Sequence, residues 1–319
     1  MVDDGTPRSV SAPEPLAYII RNEMVESAHY GHLLISDKSG KNIFQRGDIH
    51  ASIFPRSSIK PIQARAMVKL GLDIDARLLA LVIASHSGSI EHIAGVREIL
   101  HLFGLSELAL QCTSDLPLGE IERKLWGEKP PSQITMNCSG KHAGMLATCV
   151  INGWDTSNYL DMNHPLQIAI KSEIESAAGE KSANETFDGC GAPLFAISVA
   201  GLSRAIRSVV VSDDFASNAI ISAMTSHPEM IAGRGRLSAL WMRAYPGLIM
   251  KEGAEGVHMA GMRDHGVIVF KVMDGSMRAH DVIIRGALER IGITSENQAL
   301  VGATIFGGAA PKVAIRAAF

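Results

Sequence analysis

The sequence lacks the features that would tie the protein to a membrane, a nucleic acid or an oxidising compartment. It has no apolar run of membrane-spanning length. Its first fifteen residues are polar, acidic and Pro-containing, without the basic start and apolar stretch of a signal peptide. Lys and Arg number 30 against 33 Asp and Glu, for a net charge of −3. No basic patch stands out, which argues against a nucleic-acid partner. Four cysteines (Cys112, Cys138, Cys149 and Cys190) in 319 residues are too few for a disulfide framework. In a reducing cell they would be free thiols or metal ligands. Together these absences make the cytoplasm the expected compartment. Internal repeats, low-complexity segments and an obvious linker are missing too.

Hydrophobic residues make up 46% of the chain, enough for a substantial core. Residues 1–15 read as a disordered tail and 16–319 as a single domain. Strands are expected at 17–23, 29–36 and 43–47, with a hairpin turn at DKSGK. Helices are expected at 60–71, 75–84, 91–104, 140–152, 165–179, 193–206 and 215–226. Three strand-like runs follow at 248–253, 256–262 and 266–272, then an amphipathic helix at 279–291 and a closing strand within 312–319. Strands at both ends of a helical middle predict an α+β fold with one antiparallel sheet built from both termini and flanked by helices.

The stretch NCSGKH (137–142) is chemically the densest. On the first turn of a helix, spacings of three and four place Lys141 and His142 on the face of Cys138. The helix N-terminus favours thiolate there. A second thiol, Cys190, lies in the Gly-flanked segment FDGCGAP. Buried cysteine is usually inert packing, but polar and glycine neighbours favour a site.

A second set lies in FPRSSIKPIQ (54–63), where Ser57-x-x-Lys60 stands at the start of a helix. A lysine one turn from a serine works as a base once burial lowers its pKa. The bland alternative is a helix cap followed by a solvated lysine, with Ser58 as the cap. ASHSGS (84–89) puts Ser85, His86 and Ser87 at an element end, and Lys251 stands before the turn EGAEG. Alone, these read as a capping loop and an edge lysine.

In order along the chain, IIRNEMVESAHYG, FPRSSIKPIQA, ASHSG, NCSGKHAGML, DGCGAP, HPEMIAGRGR, KEGAEGV and KVMDGSMRA resemble the asparaginase II family, the Rhizobium etli-type L-asparaginases. The resemblance implies a fold similar to serine β-lactamases, penicillin-binding proteins and glutaminases, and a homodimer. It implies hydrolysis of L-asparagine to L-aspartate and ammonia. It assigns catalysis to the tandems Ser57 with Lys60 and Ser85 with Lys251. It assigns zinc to Cys138, Lys141 and Cys190, with His142 and Asp188 beside the substrate. Two thiolates and a neutral amine would neutralise zinc, making it a poor Lewis acid. Zinc is therefore expected to organise the pocket. Rival readings are a Ser-Lys amidohydrolase acting on glutamine or a β-lactam, a Cys138–His142 hydrolase, and a zinc-thiolate redox sensor.

Overall fold

The computed structural model describes residues 12–293 and 313–319. The chain opens with strands β1 (Glu14–Arg21), β2 (Met24–Asp37) and β3 (Asn42–Arg46). The turn between β1 and β2 is only Asn22–Glu23, both at positive φ (47° and 71°). That is the backbone a two-residue hairpin turn needs. It makes β1 and β2 longer than the hydropathy pattern indicated, and β1 begins within the expected tail, at Glu14. Residues 1–11 of that tail lie outside the described residues.

The chain then enters its helical middle. A short strand, β4 (Ser52–Ile53), and a 3-10 turn at Arg56–Ile59 lead into α1 (Lys60–Lys69). Next come α2 (Ala76–Ile83), α3 (Ile90–Leu102), α4 (Glu120–Trp126), α5 (Ser139–Ile151) and α6 (Pro165–Ala178). Side chains of Asp75 and Ser89 cap α2 and α3 by accepting backbone N–H groups. The expected helix at 193–206 is in part extended. Strands β5 (Glu185–Phe187), β6 (Pro193–Phe195) and β7 (Ile197–Ser198) come first, and α7 spans Val199–Val210. Pro193 cannot donate within a helix, and Ser198 caps α7 by accepting the Gly201 N–H. Helices α8 (Phe215–Ser226), α9 (Pro228–Ile231) and α10 (Leu237–Ala244) complete the middle. Helices α4, α9 and α10 were not expected from the sequence.

The last elements are β8 (Ile249–Gly253), β9 (Val257–Met262), β10 (Gly266–Val272), α11 (His280–Arg290) and β11 (Val313–Ala317). They join the first strands in a seven-stranded sheet of order β11-β1-β2-β10-β9-β8, with β3 also on β2. Every pair in it is antiparallel. The fold is thus α+β, with the sheet assembled from both ends of the chain. Helix α7 covers one face: a Cβ at Gly261 would lie 3.1 Å from both Ile206 and Val210. Helix α11 covers the other, where the His280 ring meets Phe270 edge-on at 4.9 Å. With both faces covered, β8 is buried throughout. The charged Lys251 and Glu252 are therefore buried with it.

One close approach positions the site. A Cβ at Gly140 would lie 2.2 Å from the Leu81 carbonyl oxygen, and one at Gly144 would lie 2.8 Å from Val82. These two glycines let the first turn of α5 rest on α2, next to the 84–89 loop. Gly140→Ala should cost about 1–3 kcal/mol through overpacking. A urea midpoint equal to wild type would contradict this.

Candidate active site

Lys60 is the meeting point. It opens α1, is almost fully buried, and carries three Nζ protons. It donates them to the Ala84 carbonyl, to Ser85 Oγ at 3.2 Å and to Cys138 Sγ at 3.0 Å. One amine therefore links the serine set to the thiol set. Ser85 is held on both sides. Its N–H donates to the Ile231 carbonyl at 2.9 Å, and its carbonyl accepts from Arg236 Nη1 at 3.1 Å.

Ser57 sits half-buried in the 3-10 turn. Among the described residues, no hydrogen bond joins it to Lys60, and none joins Ser85 to Lys251. The neighbouring Ser58 donates to the Pro55 carbonyl at 2.6 Å and is fully buried. It does not cap α1, whose N-cap is Ile59. Arg56 adopts φ of 50°, a conformation side chains resist, and its Nε donates to Asp188 Oδ1 at 2.8 Å. Strand β8 presses on this turn, where a Cβ at Gly253 would lie 2.8 Å from the Pro55 oxygen.

Lys251 is fully buried on β8 and donates to the Glu252 carbonyl at 2.6 Å. Burial lowers its pKa to about 7; the Glu252 charge resists and those of Lys60 and Arg236 assist. The Glu252 side chain accepts from Arg236 Nη2 at 2.7 Å and from Ser238 Oγ. Burial opposes its ionisation, but Lys251, Arg236 and His258 hold it well below the usual carboxylate range.

The thiol set comes from two distant segments. Cys138 is the N-cap of α5, and Cys190 sits in the Asp188–Gly191 turn between β5 and β6. Lys141 Nζ donates to Cys190 Sγ at 3.3 Å, and Cys138 Sγ donates to Asn137 Oδ1 at 3.2 Å. Interaction with Cys190, with burial, pushes the Cys138 thiol up to about 12. Interaction with Cys138 holds Cys190 below its ordinary value against burial, helped by the Lys141 charge. Burial works against charge on Lys141, but Cys190, Cys138 and Asp188 together raise its pKa.

His142 is fully buried. Its Nδ1 lies 2.7 Å from the Tyr159 hydroxyl, and its Nε2 has no hydrogen-bond partner among the described residues. Burial, with the Lys141 charge, lowers its pKa to about 3. Burial opposes ionisation of Asp188, yet Lys141 and Arg56 bring it below its ordinary value. His86 is a strut: its Nε2 pairs with Ser139 Oγ at 2.9 Å. Among the described residues, no three His, Cys, Asp or Glu side chains gather as metal ligands. The thiol set has two sulfurs, with Lys141 as the third donor.

Sequence reasoning missed Arg56, Arg236, Glu252 and Tyr159. Only Glu252 left a local signal, an acid beside a lysine in an otherwise apolar strand.

Among solved structures, a beta-lactamase from Mycobacterium bovis aligns with a TM-score of 0.48 at 15% identity, over 82% of this chain and 95% of that one. Mglu in its native form aligns with a TM-score of 0.46 at 12% identity, over 91% and 71%. Comparison with curated proteins gives no match. The family model described as L-asparaginase II matches residues 17–308, nearly the whole chain. The protein is therefore an amidohydrolase. It belongs to the L-asparaginase II family.

Proposed function

We propose that the protein hydrolyses the side-chain amide of L-asparagine to L-aspartate and ammonia, with Ser57 as nucleophile. The observation that carries this reading is Lys60 bridging Ser85 and Cys138 beside Lys251, an amine with a neutral fraction near pH 7. Ser58 Oγ is taken up by Pro55, which leaves Ser57 as the serine of the turn with a hydroxyl uncommitted among the described residues. Asp188 and Arg56 offer the opposite charges that an α-amino acid's ammonium and carboxylate require.

Ser57 Oγ attacks the amide carbon, and the neutral amine of Lys251 takes its proton. Lys60, donating three hydrogen bonds, stabilises negative charge, and Lys251 is the base. The same amine returns a proton to the leaving ammonia. Water then hydrolyses the acyl-enzyme. Ser57→Ala should lower kcat by about a thousandfold or more and Ser85→Ala by about ten- to a hundredfold. Ammonia release from L-asparagine and L-glutamine, measured in parallel, tests substrate and roles together. Near-normal turnover in both variants would rule out the serine mechanism.

Zinc suits the thiol set on its donor chemistry. Cys138 and Cys190 are both buried, and an amine stands 3.3 Å from the Cys190 sulfur. Cys138, Lys141 and Cys190 would hold the ion once Cys138 and Lys141 lose their protons. Bound there, it would supply positive charge that favours both sulfurs as thiolates beside Asp188. Protein stripped of metal but still folded should keep much of its kcat. Complete loss, with an unchanged circular dichroism spectrum, would sink the organising role.

A further inference from the structure

His142 has one ring nitrogen bonded and the other unpartnered, and the hydrogen-bond pattern decides which one carries the proton. Tyr159 is fully buried beyond the short turn at Thr156–Asn158, and its carbonyl accepts from Gln167 Nε2 at 2.7 Å. Its phenol oxygen accepts the Gln111 backbone N–H at 3.0 Å and lies 2.7 Å from His142 Nδ1. The two rings meet edge-on at 5.7 Å. A phenol has a single proton to give, and a backbone N–H cannot accept it. Among the described residues His142 Nδ1 is the acceptor within reach, so it carries the lone pair. The ring hydrogen is then on Nε2, the buried atom without a partner. An Nδ1–H tautomer would leave the Tyr159 proton buried with no acceptor among the described residues, at a cost of about 1–3 kcal/mol.

We propose that Tyr159 is a positioning residue that fixes His142 as an Nε2–H donor, and that this N–H is given to a carbonyl or carboxylate oxygen of the bound amide substrate. The substrate half of the proposal rests on the asparaginase reading, and the tautomer half does not.

The test uses the full-length protein labelled with nitrogen-15 histidine. Long-range proton–nitrogen correlation spectra at neutral pH report which nitrogen is protonated, and His142→Gln assigns the signals. Wild type should show an acceptor Nδ1 and a protonated Nε2. Tyr159→Phe should give mixed tautomers and raise KM for asparagine about tenfold, with kcat changed less than about threefold. His142→Gln, which keeps an N–H donor near Nε2, should bind asparagine better than His142→Leu. A protonated Nδ1 in wild type, or Tyr159→Phe with wild-type tautomer and KM, would overturn the proposal. If wild type leaves asparagine intact, the asparaginase reading fails while the spectra still decide the tautomer.

Discussion

Lys251→Met should lose about a thousandfold in kcat and yet melt higher than wild type. The two effects share a cause. Burial brings the amine to about 7, so the folded protein holds its Lys251 proton far less tightly than the unfolded chain does. Below pH 7 that difference is fully present as a cost. It fades as pH rises from 7 toward 10.5, the ordinary lysine value. At pH 7 it amounts to about 4 kcal/mol at most. Methionine fills similar space without a charge, and Glu252 keeps Arg236 and Ser238. Melting should therefore rise by about 5 °C at pH 6 and converge on wild type near pH 10. In wild type, kcat/KM should climb through a pKa near 7 as Lys251 becomes the free amine. A pH-independent rate between 6 and 8 would remove Lys251 as base, and an unchanged melting temperature at pH 6 would remove the stored cost.

The second large effect is acid sensitivity. His86, His92, His258 and His280 are buried, and burial is the main cause lowering the pKa of each. His258 and His280 share one proton between their Nδ1 atoms, 3.0 Å apart, and neither Nε2 has a partner among the described residues. The folded-state pKa values of His92 and His258 are about 4. The unfolded chain takes up these protons below about pH 6.5, and the folded protein refuses them until about pH 4. Stability is thus intact above pH 7 and falls through this window, by about 3 kcal/mol for each of these two residues at its lower end. That loss is comparable with the whole stability of many proteins. Calorimetry from pH 7.5 to 5 should show a steep drop in Tm. A flat profile would mean that these rings take up protons while folded.

The two outer thirds of the fold were legible because strand and turn chemistry there is local. The apolar stretches 33–35 in β2 and 267–270 in β10 mark strands without reference to anything distant. Residues 193–198 were misread because a short buried strand and a helix start carry the same apolar residues. Ser57-x-x-Lys60 and Cys138–Lys141–His142 were visible as spacings along one turn. The link that joins them, Lys60 to Cys138, spans 78 residues and has no local signature. Nor does Arg56, whose partner Asp188 is 132 residues away. The amine-to-serine hydrogen bond found is between Lys60 and Ser85, a pairing that spacing could not supply.

A sheet closed by strands from opposite ends of the chain also sets a schedule for synthesis. Strand β2 pairs with β3 as soon as both emerge, but its other edge waits for β10. Helices α1 to α10 must leave the ribosome first, carrying both thiols and every site serine before Lys251 exists. During that interval an apolar strand edge stays open, which invites pairing with other chains and assistance by a chaperone. Folding dominated by such distant pairings is slow. The reactive set is completed only when β8 docks on the Arg56 turn, so the nascent chain carries its thiols and serines without the base that would activate them.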